Sequence, residues 1–105
     1  MIERKRPPSH PGKVLKGLYL EPFNIKIVNF AKLIGVSRKT LSKILNEKGS
    51  VTPDMALRLS MAFKTSPEVW LNLQRNYDLW HAEHVSNDWK NVKSVEPKID
   101  IKFHN

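Results

Sequence analysis

Apolar residues recur at intervals of three and four along most of the chain, the periodicity of helices that bury one face. Val14, Leu15, Leu18 and Tyr19 form the first stripe. It opens at Ser9-His10-Pro11-Gly12, where Pro11 suits the first helical position, and Pro22 stops it, which predicts a helix over about 11–21. In residues 25–34 the stripe is Ile27, Phe30, Ala31 and Ile34, and Gly35 ends it as a left-handed cap would. Ser37 has the chemistry of an N-cap for the next segment. Residues 38–46 place Leu41, Ile44 and Leu45 on an apolar face, with Arg38, Lys39, Ser42 and Lys43 opposite; Asn46 and Gly49 close the helix. Thr52-Pro53-Asp54 then supplies an N-cap, a proline at the first position and an acid facing the helix dipole, ahead of Met55, Ala56, Leu59, Ala62 and Phe63. Ser66-Pro67-Glu68 repeats the device, and Val69, Trp70, Leu73, Tyr77 and Trp80 carry a fifth helix over 67–85.

The pattern predicts an all-α fold of five helices within residues 11–85. Residues 1–10 form a basic, proline-containing arm. The tail, 86–105, loses the helical stripe. Its segment KIDIKF (98–103) alternates apolar and polar, which reads as a short strand in need of a partner edge or, equally, as a frayed tail.

A chain of 105 residues is the size of one domain and buries roughly two-thirds of its unfolded surface. It has no cysteine, which excludes disulfides, thiolate metal sites and cysteine nucleophiles. No apolar run approaches the roughly 20 residues of a membrane span, and no apolar stretch follows the basic N-terminus as a signal peptide requires. These features suit a cytoplasmic protein away from membranes.

Charge changes the picture more. Residues 1–48 carry 11 Lys/Arg and 3 acids, and residues 49–105 carry 7 of each, so the whole net charge of +8 lies in the first half. A polyanion is the natural partner of that half. Within it, the segments 25–34 and 37–46 are joined by a turn holding Gly35, the helix-turn-helix pattern. Ala31 lets the second helix pack close, Val36 fills the gap, and Leu41 and Ile44 anchor the helix. Its outer face is then free to enter a major groove. Arg38, Lys39, Ser42 and Lys43 are donors suited to base edges. Ser37, Thr40, Asn46 and Lys48 are placed to hold the phosphate backbone. No acid occurs between residues 22 and 46.

The strings HPGKVLKGLYLEP, FAKLIGVSRKTLSKILNEK and VTPDMALRLSMAFKTSPEVWLNLQRNYDLW resemble, in order and spacing over about residues 10–82, the HigA-type antitoxins of the Xre/lambda-repressor-like helix-turn-helix class. One departure is Lys64, where that family usually has glycine; it touches a helix cap and not the DNA face. The resemblance implies a dimeric five-helix protein that binds double-stranded operator DNA, represses its own operon and pairs with a HigB-like mRNA-cleaving toxin. A stand-alone Xre repressor without a toxin, or a module whose basic face docks an acidic protein, are the competing readings.

Enzymatic readings find little support. His81 and His84 lie three apart on one helical face, a spacing that can bind metal, but there is no Cys, Glu83 points off that face, and HAEH lacks the spacing of a metalloprotease helix. The glycines are scattered and form no phosphate loop. No catalytic residue, cofactor or metal is expected. Trp70 and Tyr77 are expected to fill the core. Trp80 and Trp89 come where a small domain runs out of core; they are expected at a homodimer interface, where tryptophan is enriched, with packing of the tail onto the domain as the alternative.

Overall fold

The computed structural model describes residues 6–95, which form five helices and a short 3₁₀ turn, with no strand among the described residues. The first helix, α1, starts as one α-helical turn, Pro11–Val14, and continues as a π-helical segment, Leu15–Leu20. It is followed by α2 (Ile27–Ile34), α3 (Arg38–Leu45), α4 (Pro53–Phe63) and α5 (Pro67–Val85). The 3₁₀ turn is Asp88–Asn91, and the strand expected over 98–103 lies outside the described residues.

The first helix differs from the regular α-helix expected over 11–21. The Glu21 N–H donates to the Lys16 carbonyl at 2.9 Å and the Ile25 N–H to the Leu20 carbonyl at 2.8 Å, each five residues back. The wider turn brings Leu15 and Leu20 to the same inner side, where both are buried, and leaves Leu18 65% exposed, outside the stripe expected of it. The second helix begins at 27, two residues later than expected. Asn24 takes a left-handed φ of 55°, which asparagine tolerates, and Lys26 is extended.

The caps follow the sequence punctuation. Ser37, Thr52 and Ser66 each accept the backbone N–H three residues on. Pro53 and Pro67 open α4 and α5, where an N–H would have no helical partner. One closure differs: Glu47, not Gly49, is left-handed after α3, with φ 61°. Gly49 serves packing instead, since a Cβ there would lie 3.2 Å from that of Lys43.

The core joins all five helices. Phe30, Ala31 and Ile34 of α2 face Leu41, Ile44 and Leu45 of α3, and Met55, Ala56 and Leu59 of α4 close the space beneath. Phe63 then links the helices through its ring, 5.3 Å from Phe30, 4.1 Å from Tyr19 and 6.3 Å from Trp70. Trp70 is buried, and its indole N–H donates to the Thr65 hydroxyl at 2.9 Å, so its one polar atom is satisfied. Tyr77, expected in the core, is half-buried between His10 and His81.

Candidate nucleic-acid interface

The turn between α2 and α3 determines where the basic face points. Gly35 has φ 74° and ψ 35°, and the Val36 N–H reaches back to the Ala31 carbonyl at 3.0 Å, the six-residue closure that a left-handed glycine permits. Val36 is half-buried against the core. From α4, Arg58 braces this turn. Its Nη1 donates to the Ile34 carbonyl at 2.8 Å and the Gly35 carbonyl at 3.3 Å, while its Nε pairs with Asp54 at 2.8 Å. These carbonyls belong to the helix end that has no helical donors, where a cation is favoured. The Asp54/Arg58 spacing is visible in the sequence; the reach of Arg58 across to the turn is not, because it depends on how α4 crosses α2.

With Leu41, Ile44 and Leu45 buried, the opposite face of α3 stands in solvent. Arg38, Lys39, Thr40 and Lys43 are exposed, as are Asn46 and Lys48 just beyond the helix; Ser42 is half-buried. The Ser37 hydroxyl is doubly engaged: it accepts the Thr40 N–H at 3.0 Å and donates to the Thr40 hydroxyl oxygen at 2.9 Å. That arrangement leaves the Thr40 hydroxyl its own proton to donate outward.

Arg38, Ser42 and Asn46 also form one wall of a groove of about 830 Å³. Lys16 and Lys26 stand on the other wall, with Leu20, Ile25 and Leu45 among its apolar lining and Glu21 the acid present. Lys16 and Lys26 were not singled out by sequence. They belong to α1 and the segment before α2, and only the packing of α1 and α2 against α3 brings them beside the basic face.

The loop after α3 is tied down from two sides. The Lys48 and Gly49 N–H groups both reach the Lys43 carbonyl, at 2.8 and 2.9 Å. The buried Gln74 of α5 accepts the Val51 N–H at 2.8 Å and donates to Asp78 at 2.9 Å. Gly12 of α1 packs directly on the backbone of α3, and a Cβ there would fall 1.8 Å from the Ile44 carbonyl oxygen.

The two tryptophans expected at an interface lie far along the chain from this face. Trp80 is half-buried, and the His84 ring stacks on it at 3.8 Å and 13°. Trp89, in the 3₁₀ turn, is 48% exposed, with the Lys90 ammonium 5.5 Å from its ring. Among the described residues no group of three or more His, Cys, Asp or Glu is placed to hold a metal, and no helix is long and apolar enough to cross a membrane.

The chain belongs to the helix-turn-helix family, whose profile matches residues 18–70, and within it to the Xre type. It is similar to HigA-type antitoxins in sequence and in fold. An uncharacterised helix-turn-helix transcriptional regulator of Haemophilus influenzae is 38% identical over 94% of this chain and 91% of its own length. The antitoxin HigA-1 of Vibrio cholerae serotype O1 is 40% identical over 92% of this chain and 90% of its own length. The structure of the Pseudomonas aeruginosa antitoxin HigA with the higBA promoter superposes with a TM-score of 0.76 at 35% identity, over 88% of this chain and 99% of that one.

Proposed function

We propose that the protein is a sequence-specific DNA-binding antitoxin that represses its own operon and neutralises a HigB-like, mRNA-cleaving toxin in the cytoplasm. The exposed cationic face of α3, held out on the braced Gly35 turn, carries the DNA part of this reading. In it, Arg38, Lys39, Ser42 and Lys43 read base edges, while Thr40, Asn46 and Lys48 hold phosphates. Ser37 acts on the backbone through Thr40, whose hydroxyl it orients. Lys16 and Lys26 add positive potential along the groove that α3 shares with them. The toxin part rests on similarity to proteins named as antitoxins.

The working form is a symmetric homodimer. One recognition helix reads too few base pairs for useful specificity, and two copies would set their α3 helices about 34–36 Å apart on a palindromic site. The late aromatic groups, Trp80 and Trp89, are the contact we assign to the dimer. Light scattering at high concentration and on DNA tests this; a monomer under both conditions refutes it.

A second reading is a stand-alone Xre repressor, favoured by the relative named only as a transcriptional regulator. A gel shift with the chain's own upstream DNA, beside co-purification with the product of the neighbouring gene, separates the two. Operator binding without a co-purifying partner leaves the stand-alone repressor. No shift of the upstream DNA removes both.

A further inference from the structure

His10 lies ahead of the helices assigned to DNA, yet both nitrogens of its ring are engaged, one of them on the loop that leaves α3. It is the N-cap of α1: the Nδ1 accepts the Gly12 N–H at 2.9 Å. The Nε2 therefore carries the ring proton and donates it to the Gly49 carbonyl at 3.0 Å. The Tyr77 ring of α5 meets the imidazole edge-on at 4.8 Å, and His10 is 2% exposed, so water has little access to either bond. Gly12 lets this end of α1 lie directly on the backbone of α3, because a side chain there would overlap the Ile44 carbonyl.

The loop after α3 depends on such fastening. Glu47 holds a left-handed φ of 61°, a conformation that a side chain crowds and that persists where the surroundings enforce it. Its amide side is bonded to α3: the Glu47 N–H reaches the Ile44 carbonyl at 3.0 Å, and the Lys48 and Gly49 N–H groups reach the Lys43 carbonyl at 2.8 and 2.9 Å. From outside the loop, Gln74 of α5 holds Val51 and His10 holds Gly49. Lys48 stands between Glu47 and Gly49 with its side chain exposed. A lysine meets a phosphate as a point charge on a flexible stem, so its placement depends on the backbone that carries it.

We propose that His10 is a positioning residue for DNA binding: through the Gly49 carbonyl it fixes the backbone from which Lys48 meets a phosphate. The proposal rests on the reading of Lys48 as a phosphate contact. It is separate from the capping of α1, because the two ring nitrogens serve different partners. Base reading by Arg38, at the other end of α3, does not depend on it.

Two variants separate the nitrogens. In His10→Asn the side-chain oxygen takes the place of Nδ1 and keeps the cap, but the side chain is too short for Gly49. In His10→Gln the amide reaches as far as Nε2 and keeps the Gly49 bond, but the cap is lost. Fluorescence anisotropy with an operator duplex and a scrambled duplex, between about 50 and 200 mM salt, compares both with wild type and Lys48→Ala, beside circular dichroism melting. His10→Asn should weaken both duplexes by the same factor and flatten the slope of log K against log salt by up to about 0.9 per protomer, as Lys48→Ala does. His10→Asn/Lys48→Ala should bind no more weakly than Lys48→Ala alone. His10→Gln should keep the wild-type slope despite a lower Tm. A wild-type slope in folded His10→Asn overturns the proposal, as do losses that add in the double variant. A flattened slope in folded His10→Gln overturns it too, and decides the matter if His10→Asn does not fold. An unchanged slope in Lys48→Ala, or a wild type that does not prefer the operator, defeats the underlying reading, and with it this one.

Discussion

Lys64 sits in a backbone conformation that suits glycine. It closes α4 with φ 56° and ψ 39°, and its N–H bonds to the Ser60 carbonyl. A side chain in this region crowds the backbone at a cost of about 1–2 kcal/mol, which glycine avoids. Lys64→Gly should therefore raise stability by about 1 kcal/mol, a gain of several degrees in Tm for a chain this size, with no change in DNA affinity at fixed salt beyond the loss of one distant charge. Thermal melts of the pair check it, and an unchanged or lower Tm shows that the neighbouring helices had already absorbed the strain. At the other end of the functional range, Arg38 and Lys48 should fail differently. Arg38→Ala should cost about 1–3 kcal/mol of operator binding and relax the preference at one base pair per half-site. Lys48→Ala should weaken operator and scrambled DNA alike and flatten the salt dependence. Titrations on both duplexes decide it; an Arg38→Ala variant that binds the operator as tightly as wild type removes the base-reading role.

At the scale of elements, the helices with strong punctuation were the legible ones. Ser37, Thr52 and Ser66 cap where the sequence placed them, and α5 runs over its expected 67–85, because a cap and a proline at the first position act locally. Where tertiary contacts decide, the pattern misleads. Leu18 looks like part of an α-helical stripe, yet the π-helical segment turns it outward, since what matters is how Leu15 and Leu20 reach the core together. The basic face of α3 was readable from spacing, whereas the Arg58 brace needed the crossing of α4 with α2, and the Lys16/Lys26 wall the packing of α1 and α2 on α3. His10 is another such case: in sequence it merely precedes a proline, but in the fold it joins α1 to the loop after α3. Burial holds its imidazole below the usual histidine range, with the Gly49 bond and the charges of Glu47 and Asp78 pulling the other way. A folded-state pKa below the unfolded value near 6.5 means that the unfolded chain takes up the proton first. The contribution of His10 is then fully present above about pH 6.5 and declines as pH falls from there through the folded-state value. The expected result in urea titrations at pH 5.5, 6.5 and 7.5 is that wild type exceeds His10→Gln by most at pH 7.5 and by least at pH 5.5. A stability difference that stays level across this range removes the claim.

Across the whole molecule, charge divides along the chain much as the surfaces do. The excess positive charge lies before residue 49, on the segments that carry α3 and the groove beside it, while the half that carries α4 and α5 is balanced. That second half exposes apolar groups such as Leu57, Met61, Leu79 and Trp89. If the protein neutralises a toxin as proposed, an RNase that handles RNA is expected to be basic, so the cationic face of α3 should repel it and the balanced half should receive it. If the DNA and toxin surfaces are separable in this way, Arg38→Ala/Lys39→Ala should abolish operator binding and leave toxin neutralisation intact. Both side chains are exposed and lie outside the core, so the double variant should fold. The measurement pairs a gel shift of the double variant with growth rescue when it is co-expressed with the product of the neighbouring gene, the toxin in the proposed reading. Rescue without a shift is the expected result. Loss of both activities in a folded dimer would mean that the toxin docks on the recognition helix itself, so that operator and toxin compete for one surface and the separation of charge serves DNA alone.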